Sequence, residues 1–310
     1  GKEGGEMGVV RQRTDRPFNV NFFGRQPGGD EPAAERRGGA RLAPYYSEHG
    51  LDPAAAAEAA SGAPFDADAC AMVEDLRPEV VSFHFGLPAA ELLARVKATG
   101  AQVMSSATTV PEARWLAARG ADVIIAQGYE AGGHRGMFLD DDLSRQPGTF
   151  ALVPQVVDAV DLPVIAAGGI ADGRGIAAAL ALGAAGVQIG TAYLATSEAT
   201  ISDLHRTALA EASDDASQIT NLFSGKPARG LSTRVMREIG PLSDDTPPFP
   251  TADGALAPLK KAAEAKGKTD FSSLWAGQAA ALARPGDAGE VTRRLVAEAG
   301  AHLTRLSRGR

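Results

Sequence analysis

The run Val123-Ile-Ile-Ala126, followed by Gln127-Gly-Tyr-Glu-Ala-Gly-Gly-His-Arg-Gly136, decides how this chain reads. A short β-branched run ending in a glycine-dense loop predicts a buried parallel strand that delivers polar groups at its C-terminal end. Glycines at 128, 132, 133 and 136 allow backbone angles and close approaches that a Cβ would block. One imidazole, His134, lies inside that loop.

Outward from this loop the chain alternates. Strand-like runs fall at 18–23, 80–86, 103–109, 123–128, 164–170 and 187–193. Between them lie helical patterns: 67–76, capped by Asp66 and ended before Pro78, Pro88–Thr99, a helix from Pro111 to Gly120, 150–160 and 173–182. Strands alternating with helices mean βα units on a parallel sheet, covered on both faces because the strands lack polar alternation. Six strands are legible, whereas a closed (β/α)8 barrel has eight, so either two lie outside this chain or the sheet is open.

The flanks are less regular. Residues 1–16 are polar without a clear period, Gln26-Pro-Gly-Gly-Asp30 reads as a turn, and 31–43 as a helix or an excursion. Tyr45–Leu51 and the alanines after Pro53 suggest another helical piece. Past residue 198 the pattern is helical, interrupted by Ser224-Gly-Lys-Pro-Ala-Arg-Gly230 and Pro247-Pro-Phe-Pro250, with helices at 254–266 and 287–307.

Composition narrows the class. At 310 residues and 44% hydrophobic, the chain can bury a sizeable core without disulfides or metals. A net charge of −7 and a pI near 5.3 argue against a nucleic-acid partner. The single cysteine, Cys70, excludes an internal disulfide, suits a reducing compartment, and reads as a small buried hydrophobe. No run approaches the roughly 18 apolar residues needed to span a bilayer. The start Gly1-Lys-Glu-Gly-Gly-Glu6 is unlike a secretory signal and lacks an initiator methionine, so the expectation is a soluble cytoplasmic protein, processed or truncated.

Two further motifs converge on the loop. Ala166-Ala-Gly-Gly-Ile170 and Gln188-Ile-Gly-Thr191 end the last two strands, where αβ barrels commonly bind phosphate through backbone N–H groups. These glycines serve either that purpose or simply tight βα turns. His134 suits acid–base work by its near-neutral titration and its place beside the phosphate end; the alternative is a histidine that hydrogen-bonds phosphate or backbone. Glu130 is either its partner or pairs with Arg135 at the rim. His84 ends a strand and either faces the pocket or, the plainer reading, is a satisfied core group, while His49, His205 and His302 lie in helical or surface contexts. Asn21 sits within a strand, where a buried amide needs partners that a ligand could supply. Gln127 and Gln188 are likewise amides at strand ends, placed to meet a heteroaromatic ring. Arg36-Arg37, Lys260-Lys261 and Asp140–Asp142 read as solvated faces. No metal-binding cysteine spacing, Walker loop, nucleophile elbow or Rossmann fingerprint is present.

Taken together these motifs resemble the nitronate monooxygenase (2-nitropropane dioxygenase) family. The likeness rests on Pro17-Phe-Asn-Val-Asn21, Ser82-Phe-His-Phe-Gly86, Gln127-Gly-Tyr-Glu-Ala-Gly-Gly-His134, Ala166-Ala-Gly-Gly-Ile170, Gln188-Ile-Gly-Thr191, Phe223-Ser-Gly-Lys-Pro-Ala-Arg-Gly230 and Leu274-Trp-Ala-Gly-Gln278. The resemblance implies a TIM-type (β/α)8 barrel, here lacking its first two strands, over 1–197. A last barrel helix, helical cap and C-terminal helices follow over 198–310. It implies FMN held by Asn21, Gln127, Gly132, Gly168, Gly169, Gln188, Ile189, Gly190 and Thr191, with His134 as catalytic base and no metal. The implied reaction oxidises a small nitronate or nitroalkane with O2 to a carbonyl compound and nitrite, in a protein without nucleic-acid or membrane partners and compatible with a homodimer. A flavin-dependent enoyl-ACP reductase or NADH:quinone reductase of the same superfamily is the alternative, and a non-catalytic flavin-binding barrel a second.

Overall fold

The computed structural model describes residues 2–24, 32–53 and 64–308. The expected turn at 26–30 and the alanine run at 54–60 lie outside them. The chain starts with helix α1 (Lys2–Arg13), strand β1 (Asn19–Phe23) and helix α2 (Pro32–His49). A regular series follows: α3 (Ala67–Leu76), β2 (Val80–His84), α4 (Ala90–Ala98), β3 (Gln102–Ala107), α5 (Val110–Ala118) and β4 (Val123–Gln127). After the two-residue β5 (Gly133–His134) come α6 (Thr149–Val157), β6 (Val164–Ala167), α7 (Gly173–Ala181), β7 (Gly186–Gln188) and the single turn α8 (Thr191–Leu194). The last third holds α9 (Asp203–Ala210), β8 (Ser217–Thr220), β9 (Ala228–Leu231), α10 (Arg234–Ile239), α11 (Ala252–Glu264) and α12 (Ala288–Arg308).

Six strands form one all-parallel sheet in the order β1-β2-β3-β4-β6-β7, a half-barrel with β1 and β7 at its edges. The expected six-stranded (β/α) wall is therefore the one observed. Its core packs β3, β4 and β6 against the helices that follow them, through Leu116, Ile124, Leu152, Val156 and Val164. A second cluster joins α3, β2 and α4 through Cys70, Val73, Val81, Phe83 and Val96. Burial raises the Cys70 thiol above its ordinary range, which suits the inert core role. Asp66 caps α3 as its spacing predicts, its carboxylate accepting from the Ala69 N–H.

The C-terminal third builds its own core. Leu42, Tyr45 and Tyr46 of α2 reach across to pack with Val235 and Met236 of α10, Leu256 and Leu259 of α11, and Phe271. The Tyr46 hydroxyl donates to the Ala255 carbonyl at 2.6 Å. Helix α12 lies on α7 at Gly173, where any Cβ would overlap Glu298.

Three expectations fail locally. Residues 2–13 are helical despite three glycines, because Arg11 ties this helix to Glu79 at 2.8 Å and lies over the Phe18 ring. Tertiary anchoring replaces the missing amphipathic period. The helical reading past 198 misses the hairpin β8–β9, whose four-residue strands are too short to show alternation; it pairs with β5 in a separate antiparallel sheet of order β5-β9-β8. The run expected as a strand over 187–193 stops at Gln188 and turns into α8.

One acid organises the sheet's functional end. Glu112 is 1% exposed and its carboxylate accepts from the Thr108 N–H and hydroxyl (both 2.7 Å), the Phe138 N–H (2.6 Å) and the Leu139 N–H (3.2 Å). It thus joins the loops after β3 and β4. Glu112→Ala strands several buried donors and is expected to lower unfolding free energy by about 3 kcal/mol in urea titrations, with Glu112→Gln intermediate.

Candidate active site

The loop after β4 is built around buried polar groups. Arg135 is fully buried, and its guanidinium donates to the carbonyls of Gly128 (2.7 Å) and Gln127 (3.0 Å) and to the Gln146 amide oxygen (2.8 Å). Burial brings its pKa down to about 10, with the neighbouring Arg229 cation adding to the effect, so it stays charged at neutrality. Arg229, on β9 and also buried, donates to the Tyr129 carbonyl at 3.0 Å. Gly128 admits no side chain, since a Cβ would overlap Thr149. Glu130 neither partners His134 nor pairs with Arg135 at a rim, as the two sequence readings have it. Its carboxylate accepts from the Thr149 N–H (2.7 Å) and hydroxyl (2.8 Å), closing the N-terminus of α6, which begins after Gly148 and has no side-chain cap of its own.

His134 stands where the two lobes meet. As part of β5 it pairs with Ala228 of β9, and the Arg135 N–H donates to the Pro227 carbonyl at 2.8 Å. Its Nε2 lies 2.8 Å from Ser224 Oγ, in the turn between β8 and β9. Four aromatic rings surround it, Phe23, Phe85, Phe249 and Trp275, with centroids 5.6 to 6.2 Å away. The Lys226 ammonium lies 4.8 Å from the Phe85 ring centroid. Burial among these rings, and secondarily the Lys226 charge, lowers the His134 pKa to about 4. His84 is brought to about 4 as well, chiefly by burial, then by the neighbouring His134. Both imidazoles are therefore neutral at pH 7.

At the C-terminal ends of β4, β6 and β7 opens a cleft lined by Gln127, Gly132, Gly168, Gly169, Gln188, Gly190 and Thr191, and by Gly277 and Ala279 from the C-terminal third. Gly168 and Gly169 have positive φ, 108° and 71°, and at Gly190 a Cβ would project into open space. The Gln188 side chain is exposed to the cleft, whereas Gln127 uses its amide locally: Nε2 donates to the His134 carbonyl (2.9 Å) and Oε1 accepts from the Gly136 N–H (2.7 Å). The sequence-derived set is thus brought together with two exceptions. Ile189 turns into the core beside Val187. Asn21 is not a buried amide: it is exposed on β1, at the sheet edge opposite β7, and accepts from the Ser82 hydroxyl at 2.8 Å. His49 sits against Phe271, His205 is buried in α9 and His302 is on α12, all apart from the cleft.

Ser224, Lys226, Phe249 and Trp275 share the site without having been assigned by sequence. Ser224, Lys226 and Trp275 sit in motifs that carry the resemblance, but only the fold brings these tail motifs onto the β4 loop. Among the described residues no cluster of His, Cys, Asp and Glu could hold a metal ion, and no helix is long and apolar enough to cross a membrane.

The depressed histidines set a pH dependence. Their folded pKa values near 4 lie below the ordinary 6.5, so the unfolded chain binds more protons between those limits. Their contribution to stability is complete above pH 6.5 and is lost as pH falls through that window. Thermal unfolding followed from pH 7 to pH 4.5 is expected to show a falling Tm, and His134→Asn to flatten part of the slope.

The family model for nitronate monooxygenase matches residues 4–298. The nitronate monooxygenase of Paraburkholderia phytofirmans is 41% identical over 93% of this chain and 80% of its own length, and that of Pseudomonas aeruginosa 42% over 93% and 83%. The solved nitroalkane oxidase from Streptomyces ansochromogenes superposes with a TM-score of 0.87 at 39% identity, covering 97% of this chain and 85% of that one. An open parallel half-barrel with a glycine-lined cleft and one caged imidazole is thus found in a chain that belongs to the nitronate monooxygenase family.

Proposed function

We propose that this chain binds FMN in the glycine-lined cleft and oxidises small alkyl nitronates or nitroalkanes with O2, giving a carbonyl compound and nitrite. The observation that carries the reading is the placement of His134: a neutral imidazole, held by Ser224 inside an aromatic cage, two residues along the chain from Gly132 of the cleft wall. The names of the relatives point the same way.

The cleft suits the cofactor. Backbone at Gly168, Gly169 and Gly190 and the Thr191 hydroxyl line the cleft and would offer N–H and O–H groups to a phosphate. Gln188 and Gln127, both lining the cleft, would offer amide groups to the polar edge of a planar ring. Gly132 belongs to the same wall, and residues 1–197 form the flavin-holding unit with 198–310 as its cap. Ile189 supports this wall from the core, and Asn21 stands on the other edge strand of the sheet. Bound flavin supplies the electron transfer to oxygen.

The protein's own part is proton handling and exclusion of water. A neutral His134 can take the α-proton of a nitroalkane, and Ser224 fixes its ring. The serine hydroxyl has the Lys226 carbonyl at 3.2 Å as a further acceptor, so it can serve Nε2 as donor or as acceptor. Because the imidazole is uncharged at neutrality, the negative charge of a nitronate is better met by the Lys226 ammonium than by His134. Four aromatic rings keep the reacting carbon away from bulk water.

The test is direct. Purified protein supplied with FMN is expected to show bound-flavin absorbance and to release nitrite from a small nitronate such as propyl-2-nitronate. His134→Ala should keep the flavin but lose nitrite release from neutral nitroethane by about 100-fold or more. A folded protein that neither takes up FMN nor forms nitrite overturns the reading.

A further inference from the structure

We propose that His84 is a positioning residue for this site: with the Gln127 amide it grips the main-chain carbonyl of His134 and so sets where the His134 ring stands. The inference rests on the function proposed above.

Three neighbouring strands each contribute one side chain to this grip: His84 from β2, Ser106 from β3 and Gln127 from β4. His84 Nε2 lies 3.1 Å from the His134 carbonyl oxygen, and Gln127 Nε2 lies 2.9 Å from the same oxygen. A carbonyl only accepts, so His84 Nε2 carries the hydrogen. The neutral ring then leaves Nδ1 as an acceptor, and Ser106 Oγ, 3.1 Å away, is placed to donate to it. The serine therefore selects the tautomer that the carbonyl requires. The grip extends along the chain, because Gln127 also accepts from the Gly136 N–H, and a Cβ at 136 would come within 2.9 Å of His84 Cε1. Both carbonyl lone pairs are thus used, and the peptide carrying His134 cannot tilt without breaking two hydrogen bonds.

His84 also places the cage. Its ring lies 4.7 Å from that of Phe85, the next residue, which holds φ of 67°. That left-handed backbone turns Phe85 toward His134, an arrangement a phenylalanine adopts only when its surroundings enforce it. His84 does not line the glycine cleft, so its influence runs through His134 and Phe85.

The experiment compares His84→Leu, His84→Gln, Ser106→Ala and the double variant His84→Leu/Ser106→Ala, all loaded with FMN. His84→Leu should lower kcat for nitroethane by about 10- to 100-fold, as displacement of a reacting group by a fraction of an ångström does, with KM and flavin affinity within about threefold. His84→Gln, whose amide N–H can reach the same carbonyl, should recover most of the rate. Ser106→Ala should cost a few-fold, and the double variant should be no slower than His84→Leu alone. An NMR signal from the His134 ring gives a readout that needs no turnover: one sharp resonance in the wild type and His84→Gln, shifted or broadened in His84→Leu. Wild-type rates in His84→Leu, equal damage in His84→Gln, additive losses in the double variant, or an unaltered His134 resonance would each overturn the proposal. If the wild type itself forms no nitrite, the function falls and the resonance alone decides the positioning role. Should His84→Leu fail to fold, Ser106→Ala and His84→Gln carry the comparison.

Discussion

A buried guanidinium bonded to two strand-end carbonyls is the constraint from which the site follows. Where β4 ends, the Gly128 carbonyl accepts from the Ala131 N–H, and Arg135, from within the same loop, donates to it and to the Gln127 carbonyl. Burying such groups without partners is costly, and burying a cation without acceptors more so, so each solves the other's problem. Arg229 repeats the device from β9, donating to Tyr129, and both guanidiniums lie within 6 Å of the Tyr129 ring. Because the second arginine belongs to the C-terminal third, the loop is fixed from both sides at once.

The rigidity has an electrostatic consequence. His134 is surrounded by aromatic rings, with Lys226 as the nearby cation acting on it, and its pKa falls to about 4. A base so depressed is weaker than an ordinary imidazole, yet it is unprotonated across the whole physiological range and does not attract an anion by its own charge. The site therefore separates two jobs that one histidine would otherwise combine. In the function proposed above, proton acceptance would stay with the ring, while positive charge sits on the Lys226 ammonium stacked over Phe85. Aromatic side chains suit this separation, since they exclude water while their faces accept a neighbouring cation.

Much of this was legible from residues in local order. The six parallel strands, the Asp66 cap and the glycine turns after β6 and β7 declare themselves because β-branched runs, capping residues and glycine act over a few positions. Glu130 shows where the same logic misleads. A carboxylate four residues from a histidine and five from an arginine invites pairing along the chain, but it is drawn to the bare N–H groups of α6, nineteen positions away in sequence. Asn21 misleads for a related reason: its place in a strand suggested burial, and the sheet edge exposes it. Ser224, Phe249 and Trp275 depend on how the tail folds back, which no local period encodes.

The attachment of the tail explains why. The C-terminal third and the half-barrel meet in this region largely through main-chain bonds: Gly133–His134 against Ala228–Arg229, the Arg135 N–H to the Pro227 carbonyl, and the Gln278 N–H to the Glu130 carbonyl. The Gly277 N–H reaches the Thr191 hydroxyl at 2.9 Å, bringing the cap against the cleft wall. Main-chain pairing is indifferent to side-chain identity, so a stripe of apolar residues does not announce it. It does require that backbones come close, which is why Gly132 faces Ala276–Gly277 with no room for a Cβ. In this part of the chain glycine marks the interface that hydrophobic residues mark elsewhere, and the same closeness that joins the lobes leaves the cleft with walls of bare backbone.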